Sequence, residues 1–208
     1  MISNLHYISQ GADAKKHLKN IEIMLQAGAN WVQLRLKDYS EDELFQTAGL
    51  AKILCKKFDA KLIINDHPQI AREVNADGVH LGKEDMCPIE AREILGKHKI
   101  IGGTANTLED CELLLTKKMD YIGLGPLRFT NTKKKLSPIL GFSGYEELMN
   151  QYLKNSNAVP IIAIGGIVND DIPLLKNCGI YGIAISGMLT NSMNPEVDIR
   201  KIYKELED

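Results

Sequence analysis

Two aspartates stand just past short apolar runs, Asp66 in "NDHP" (65–68) and Asp85 in "GVHLGKED" (78–85). Either one alone reads as a helix cap ahead of a proline, Pro68 or Pro88. At neighbouring strand ends they suit Mg2+, which takes one or two carboxylates and leaves its other positions to water and phosphate oxygens. Groups suited to an anion accompany them. In "QLRLK" (33–37), alternation along a strand puts Gln33, Arg35 and Lys37 on one side and Leu34 and Leu36 on the other. In "GPLRFTNTKKKLS" (125–137), an arginine, two threonines and a lysine cluster follow the strand-like "DYIGLG". A solvated lysine face is the plain reading of that run, and a bound anion is the other. "GGTANT" (102–107) leaves room for close backbone approach and offers the Thr104 hydroxyl, or is simply a tight turn. "IGGI" (164–167) and "ISGM" (185–188) present amides uncluttered by side chains, which suit phosphate near a helix start. His80, in mid-strand, reads as a packed and hydrogen-bonded core histidine.

Eight apolar, β-rich runs must position these groups: 5–9, 31–35, 61–65, 78–82, 99–103, 121–125, 160–166 and 182–186. Between them the spacing is helical. Ile21, Met24 and Leu25 share a face, as do Leu44, Ala48, Ala51 and Leu54. Ser40 with Glu43 forms a capping box, and Asn169–Asp170 precede another helix. Near-continuous apolar strands separated by helices mean a parallel sheet covered on both faces. Eight such units in 208 residues predict an α/β fold, a closed (β/α)8 or TIM barrel forming a single catalytic domain over residues 1–208. A doubly wound open sheet is the alternative. In the barrel, chemistry belongs at the carboxyl ends of the strands, where all the groups above fall.

Composition narrows the partners. Charged residues make up 25% of the chain, yet the net charge is −2, so no global attraction to nucleic acid or membrane is expected and any anion site is local. No apolar run approaches the ~20 residues of a membrane span. Cys55, Cys87, Cys111 and Cys178 form no CxxC pair, which fits reduced thiols and a cytoplasmic protein. The N-terminal "MISNLHYISQGADAKK" does not read as a signal peptide. Small-molecule partners are expected; a homo-oligomer stays open.

From about residue 20 to 190 the chain resembles the thiamine phosphate synthase family, whose relatives include thiazole tautomerases. The family's Gln-Leu-Arg-Glu-Lys appears as "QLRLK", with Leu36 in place of the glutamate. "LIINDHPQIAREVNADGVHLGKED" is close to its most typical stretch. "GPLRFTNTK" keeps Gly125, Pro126, Thr130, Thr132 and Lys133 of the sixth-strand motif, roughly Gly-Pro-Ile-Phe-x-Thr-x-Thr-Lys, with Arg128 in place of the phenylalanine, and "VPIIAIGGI" matches the seventh. The resemblance implies a barrel enzyme that joins hydroxymethylpyrimidine diphosphate to a thiazole phosphate or its carboxylate, releasing diphosphate. It implies that Gln33, Arg35, Lys37, Asn65, Thr104 and Lys133 hold the pyrimidine diphosphate, with Lys133, Arg35, Lys37 and Thr104 as the catalytic set. It implies Mg2+ on Asp66 and Asp85. Thr130, Asn131, Thr132, Gly166, Ser186 and Gly187 would take the thiazole phosphate. Thr104 replaces a serine and Asn106 a histidine, and the strand-eight turn aligns as Ser186–Gly187 where the family has Val-Ser. The alternatives are a thiazole tautomerase, whose acid/base histidine aligns with Asn106, and a non-catalytic ligand-binding paralogue. The stretch 128–142 is longer than the other strand-to-helix loops and is expected to act as a lid.

Overall fold

The computed structural model describes residues 1–129 and 138–207. Eight parallel strands close into a barrel in chain order: β1 (Leu5–Ile8), β2 (Trp31–Leu34), β3 (Lys61–Asn65), β4 (Gly78–Leu81), β5 (Ile100–Ala105), β6 (Tyr121–Leu124), β7 (Ile161–Ile164) and β8 (Gly182–Ile185). β8 pairs back onto β1, which excludes the open sheet. The helices outside are α1 (Ala14–Gln26), α2 (Glu41–Lys57), α3 (Pro68–Glu73), α4 (Pro88–Leu95), α5 (Leu108–Thr116), α6 (Gly141–Tyr152), α7 (Ile172–Asn177), α8 (Gly187–Thr190) and α9 (Pro195–Glu207). No helix among the described residues is long and apolar enough to cross a membrane. The four cysteines are free thiols.

Alternation along each strand divides the core in two. Leu5, Val32, Leu34, Leu62, Ile64, Val79, Ile101, Ile122, Ala163 and Ile183 point outward, packing with Ile21, Met24, Ala48, Ala51 and other helix residues. A smaller cluster, built on Trp31, Ile63, Tyr121, Ile162 and Ala184, fills the barrel. The Ser40–Glu43 capping box forms as expected and starts α2. A second box, Thr107 with Asp110, starts α5.

The floor of the barrel is aromatic. The His6 ring stacks on Trp31 with centroids 4.3 Å apart, and Tyr121 meets both edge-on. Glycines opposite the rings make the space. A Cβ on Gly102 would stand 2.1 Å from Tyr121 Cζ, and one on Gly123 would stand 3.0 Å from His80 Cε1. His6 gives a ring N–H to the Ser3 carbonyl at 2.9 Å. Burial, opposed by that hydrogen bond, lowers its pKa from 6.5 to about 3.

A histidine held neutral in the fold binds its proton only when the chain unfolds. His6 therefore leaves stability intact above pH 6.5 and removes it progressively as the pH falls toward about 3. His17, also lowered by burial, acts in the same sense. The lowered carboxylates, Asp77 and Asp110 among them, add their own loss only at or below their ordinary 3.8. Urea midpoints should thus fall between pH 6.5 and 4.5, and His6→Phe, which has nothing to protonate, should fall less over the same interval. Equal slopes for wild type and variant would refute this assignment.

Candidate active site

The carboxyl ends of β2 to β5 bring the expected residues to one rim. Gln33 and Asn65 point into the barrel and are buried. Asn65 stands in register with His80, and Thr104 with Gly123. Just beyond β2, the Arg35 amide donates to Ser9 Oγ at 3.1 Å, and the buried Leu36 packs among the outer core residues. The predicted alternation thus holds past the end of the strand. The Lys37 ammonium forms an ion pair with Asp66 across the gap to the next strand. Burial lowers the Arg35 pKa, and the charge of Asp66 opposes that shift.

Neither aspartate is a helix cap. The residue before α3 is His67 and the residue before α4 is Cys87, and neither helix has a side-chain cap. Asp66 instead has a positive φ of 67°, a strained conformation for a residue with a side chain, and its amide donates to the His80 carbonyl at 2.8 Å. Asp85 folds back so that its Oδ2 accepts the Gly82 amide at 2.6 Å. The two carboxyl groups meet. Burial raises the Asp85 pKa, and the hydrogen bond and charge of Asp66 raise it further. For Asp66 burial acts upward, but the hydrogen bonds to Asp85 and Lys37 outweigh it and the pKa is lowered. Two touching carboxylates resist joint ionisation and favour either a shared proton or a divalent cation. That donor set fits Mg2+, which needs no more than two carboxylates. Among the described residues no group of three or more His, Cys, Asp or Glu gathers as a metal site.

The loops after β5, β6 and β7 are tied to one another. The Asn106 side-chain amide donates to the Gly125 carbonyl, and its backbone amide donates to Asp110 at 2.9 Å. Lys83, from the loop after β4, pairs with the same Asp110. The backbone enters the loop after β6 through a cis Gly125–Pro126 bond. The Leu127 and Arg128 amides then donate to Ile164 and Gly165 at 2.9 and 3.1 Å. Arg128 donates to the Gly166 carbonyl at 2.8 Å and grips Asp171 with both terminal nitrogens. Gly165 and Gly166 have φ of 90° and 71°, and a Cβ on Gly166 would lie 2.5 Å from Arg128 Cγ. The "IGGI" turn therefore requires glycine both for its conformation and for the passing arginine. Asp171 also accepts the Val168 amide at 2.8 Å, so it, rather than Asn169 or Asp170, holds the start of the helical segment. Ser186 precedes α8 without capping it, and its hydroxyl lies 3.3 Å from Gln10 Oε1.

Thr130, Asn131, Thr132 and Lys133 lie outside the described residues, as does most of the expected lid. Its flanks are described. Gly141 and Phe142 already belong to α6, so the stretch ends sooner than expected. Leu140 and Gly141 donate to Pro126 and Leu127 at 2.9 and 3.1 Å, which ties the two ends together. The sequence reading placed Arg128 in the candidate anion-binding run, whereas it is committed to Asp171 and the Gly166 carbonyl, and Asp171 escaped that reading. The only available signal was an arginine where the related motif has phenylalanine.

A closed parallel barrel with acidic and basic side chains on its carboxyl-terminal rim defines the class, a barrel enzyme with its site at the strand ends. Sequence comparison is more specific. The family described as thiamine monophosphate synthase matches residues 5–189, and the chain belongs to it. A thiamine-phosphate synthase of Flavobacterium johnsoniae is 49% identical over 99% of this chain and 97% of its own length. That of Flavobacterium psychrophilum is 47% identical over 99% of this chain and all of its own length. The thiamine phosphate pyrophosphorylase of Pyrococcus furiosus superposes with a TM-score of 0.83 at 27% identity, covering 98% of this chain and 95% of its own. These relatives support thiamine-phosphate synthase, a transferase, as the activity.

The Arg128–Asp171 clamp should be worth about 1–2 kcal/mol of coupling, discounted because half of the arginine side chain is exposed. A cycle of Arg128→Met, Asp171→Asn and the double variant, followed by urea unfolding, measures it. Losses that simply add would mean that the contact stabilises nothing.

Proposed function

We propose that this chain, as one catalytic domain over residues 1–208, joins 4-amino-2-methyl-5-hydroxymethylpyrimidine diphosphate to thiazole phosphate or its carboxylate and releases diphosphate. The observation that carries the reading is the rim of β2 to β4, where Arg35 and Lys37 flank the paired carboxyl groups of Asp66 and Asp85. Breaking a carbon–diphosphate bond builds negative charge on the leaving group, and fixed positive charge there lowers the barrier. Arg35 and Lys37 supply such charge, and by resemblance Lys133 does so too. Mg2+ held by Asp66 and Asp85 would neutralise diphosphate oxygens as they take up charge. Gln33, Asn65 and Thr104 line the interior beneath and orient the pyrimidine. Its amino group stabilises a cation at the departing methylene, so a dissociative step needs no protein nucleophile. Burial supports this by raising the Cys55 and Cys111 pKa values to about 12, which keeps both thiols protonated. Gly166, Ser186 and Gly187, with Thr130, Asn131 and Thr132, take the thiazole phosphate. Asn106 is committed to Gly125 and cannot exchange a proton near neutral pH, so no observation favours the tautomerase.

Incubation with both substrates and Mg2+ should yield thiamine phosphate and diphosphate in equal amounts, read by mass spectrometry and diphosphate release. No product with either form of the thiazole would refute the proposal.

Asp85→Asn separates chemistry from folding. Ionised Asp85 faces Asp66 at a net cost, since its pKa is raised, so the neutral amide should leave the melting temperature unchanged or slightly higher. Turnover should drop on the order of 10²-fold or more through loss of a metal ligand. Near-wild-type turnover at limiting Mg2+ would remove Asp85 from the metal site.

A further inference from the structure

We propose that Tyr121 and His80 are positioning residues that fix Thr104 as a hydrogen-bond donor to the pyrimidine diphosphate. The inference rests on the function proposed above for the choice of ligand, but the relay itself is read from the interior of the barrel. His80 lies between two hydroxyls, with Nδ1 3.0 Å from Tyr121 Oη and Nε2 3.0 Å from Thr104 Oγ1. All three side chains are buried, and the His80 and Tyr121 rings lie 5.5 Å apart at 28°.

Proton counting sets the direction. Burial raises the Tyr121 pKa, with help from Asp120, so the phenol keeps its proton. Among the described residues Tyr121 Oη has one hydrogen-bond partner, His80 Nδ1. A buried O–H that donates to nothing is costly, so the phenol must donate and Nδ1 must be bare. A doubly protonated ring, or one protonated on Nδ1, would strand the phenol proton. The His80 proton is therefore on Nε2, where it is donated to Thr104 Oγ1. The Thr104 oxygen is then engaged as an acceptor, and its own proton is directed elsewhere. Thr104 has no second hydrogen-bond partner among the described residues, and it lies near the carboxyl end of β5, beneath the rim. Its β-branch restricts rotation about χ1. The mouth of the barrel thus receives a donor of fixed polarity, suited to a lone pair on the substrate.

Two glycines permit the relay. Gly102 and Gly123 leave the volumes that the Tyr121 and His80 rings occupy. The glycines of "GGT" and "YIGLG" therefore serve ring placement inside the barrel in addition to any turn.

The test combines NMR and kinetics on the full chain. Long-range 15N–1H correlation of histidine-labelled protein without ligand, with the His80 signals assigned by comparison with His80→Gln, should show Nε2 protonated and Nδ1 bare. Tyr121→Phe should abolish that preference. In steady state, Tyr121→Phe should raise KM for the pyrimidine diphosphate about tenfold, the effect of one lost hydrogen bond, and leave KM for the thiazole phosphate unchanged. Thr104→Val should lose about as much as Tyr121→Phe, and Thr104→Ser, which restores the hydroxyl, should lose less than Thr104→Val. Adding Tyr121→Phe to Thr104→Val should then cost nothing more, because no hydroxyl remains to orient. Nδ1 protonation in the wild type, or losses that add in the double variant, would overturn the proposal. Should the wild type make no thiamine phosphate, the functional reading falls separately. The NMR result then decides the relay, upheld by an Nε2–H ring that loses its preference in Tyr121→Phe and overturned by any other pattern.

Discussion

A closed eight-stranded barrel must fill its own interior, and here the filling is the constraint on which the rest depends. Tyr121 occupies the centre because β5 offers Gly102 opposite it, leaving no atom where its ring lies. Trp31 and His6 complete the floor as a stacked pair. Aromatic rings are stiff and bulky, so once seated they fix the register of the strands that carry them. That register sets which residues reach the rim: Gln33 from β2, Asn65 from β3, His80 from β4 and Thr104 from β5. A polar layer thus rests on an aromatic one. The site inherits its geometry from the rigid strands, while the loops add charge.

The rim carries an electrostatic conflict that the core does not. Asp66 and Asp85 are held against each other, Asp66 in a strained backbone conformation, while Lys37 offsets one of the two charges. A fold selected for stability alone would not place two carboxyl groups together at a half-buried rim. The raised pKa of Asp85 is the sign of that conflict, and a divalent cation is the simplest species to resolve it. The outer core bears no such tension, with apolar side chains packed against apolar helix faces.

The architecture was legible in the sequence because a parallel barrel writes itself as a repeat. All eight strands, the Ser40 capping box and the facing of Gln33, Arg35 and Lys37 follow from local periodicity. The acidic pair was legible too, although a helix cap predicted the same residue type in the same place. Only the tertiary structure separates the two readings, through His67 and Cys87 at the helix starts. The Tyr121–His80–Thr104 relay and the Arg128–Asp171 clamp were not legible. Their members lie 41, 24 and 43 positions apart, and no local pattern links an arginine to an aspartate on another loop. Side-chain networks across strand ends are long-range by nature, so periodicity carries no trace of them.

Two of the departures from the related motifs, Leu36 and Arg128, act in different places. Leu36 stands where a glutamate is usual, yet its position faces the outer core, where a leucine is better accommodated than a charge. The substitution therefore leaves Arg35 and Lys37 on the rim and alters the shell behind them. Arg128 works in the opposite sense. In place of an aromatic residue it introduces a cation that spans the loop after β6 and the glycine turn after β7, satisfying the buried Asp171 and the Gly166 carbonyl together. The turn proposed to offer its amides to the thiazole phosphate is thereby joined to the segment that leads to Thr130 and Lys133. On that proposal, contacts to both substrates would rest on one clamped corner of the barrel, while the opposite side, from β2 to β5, would contribute the acidic pair and the pyrimidine pocket from rigid strands. Joining two substrates asks for that division, with each half held from its own side and the reacting atoms brought together over the polar layer between them.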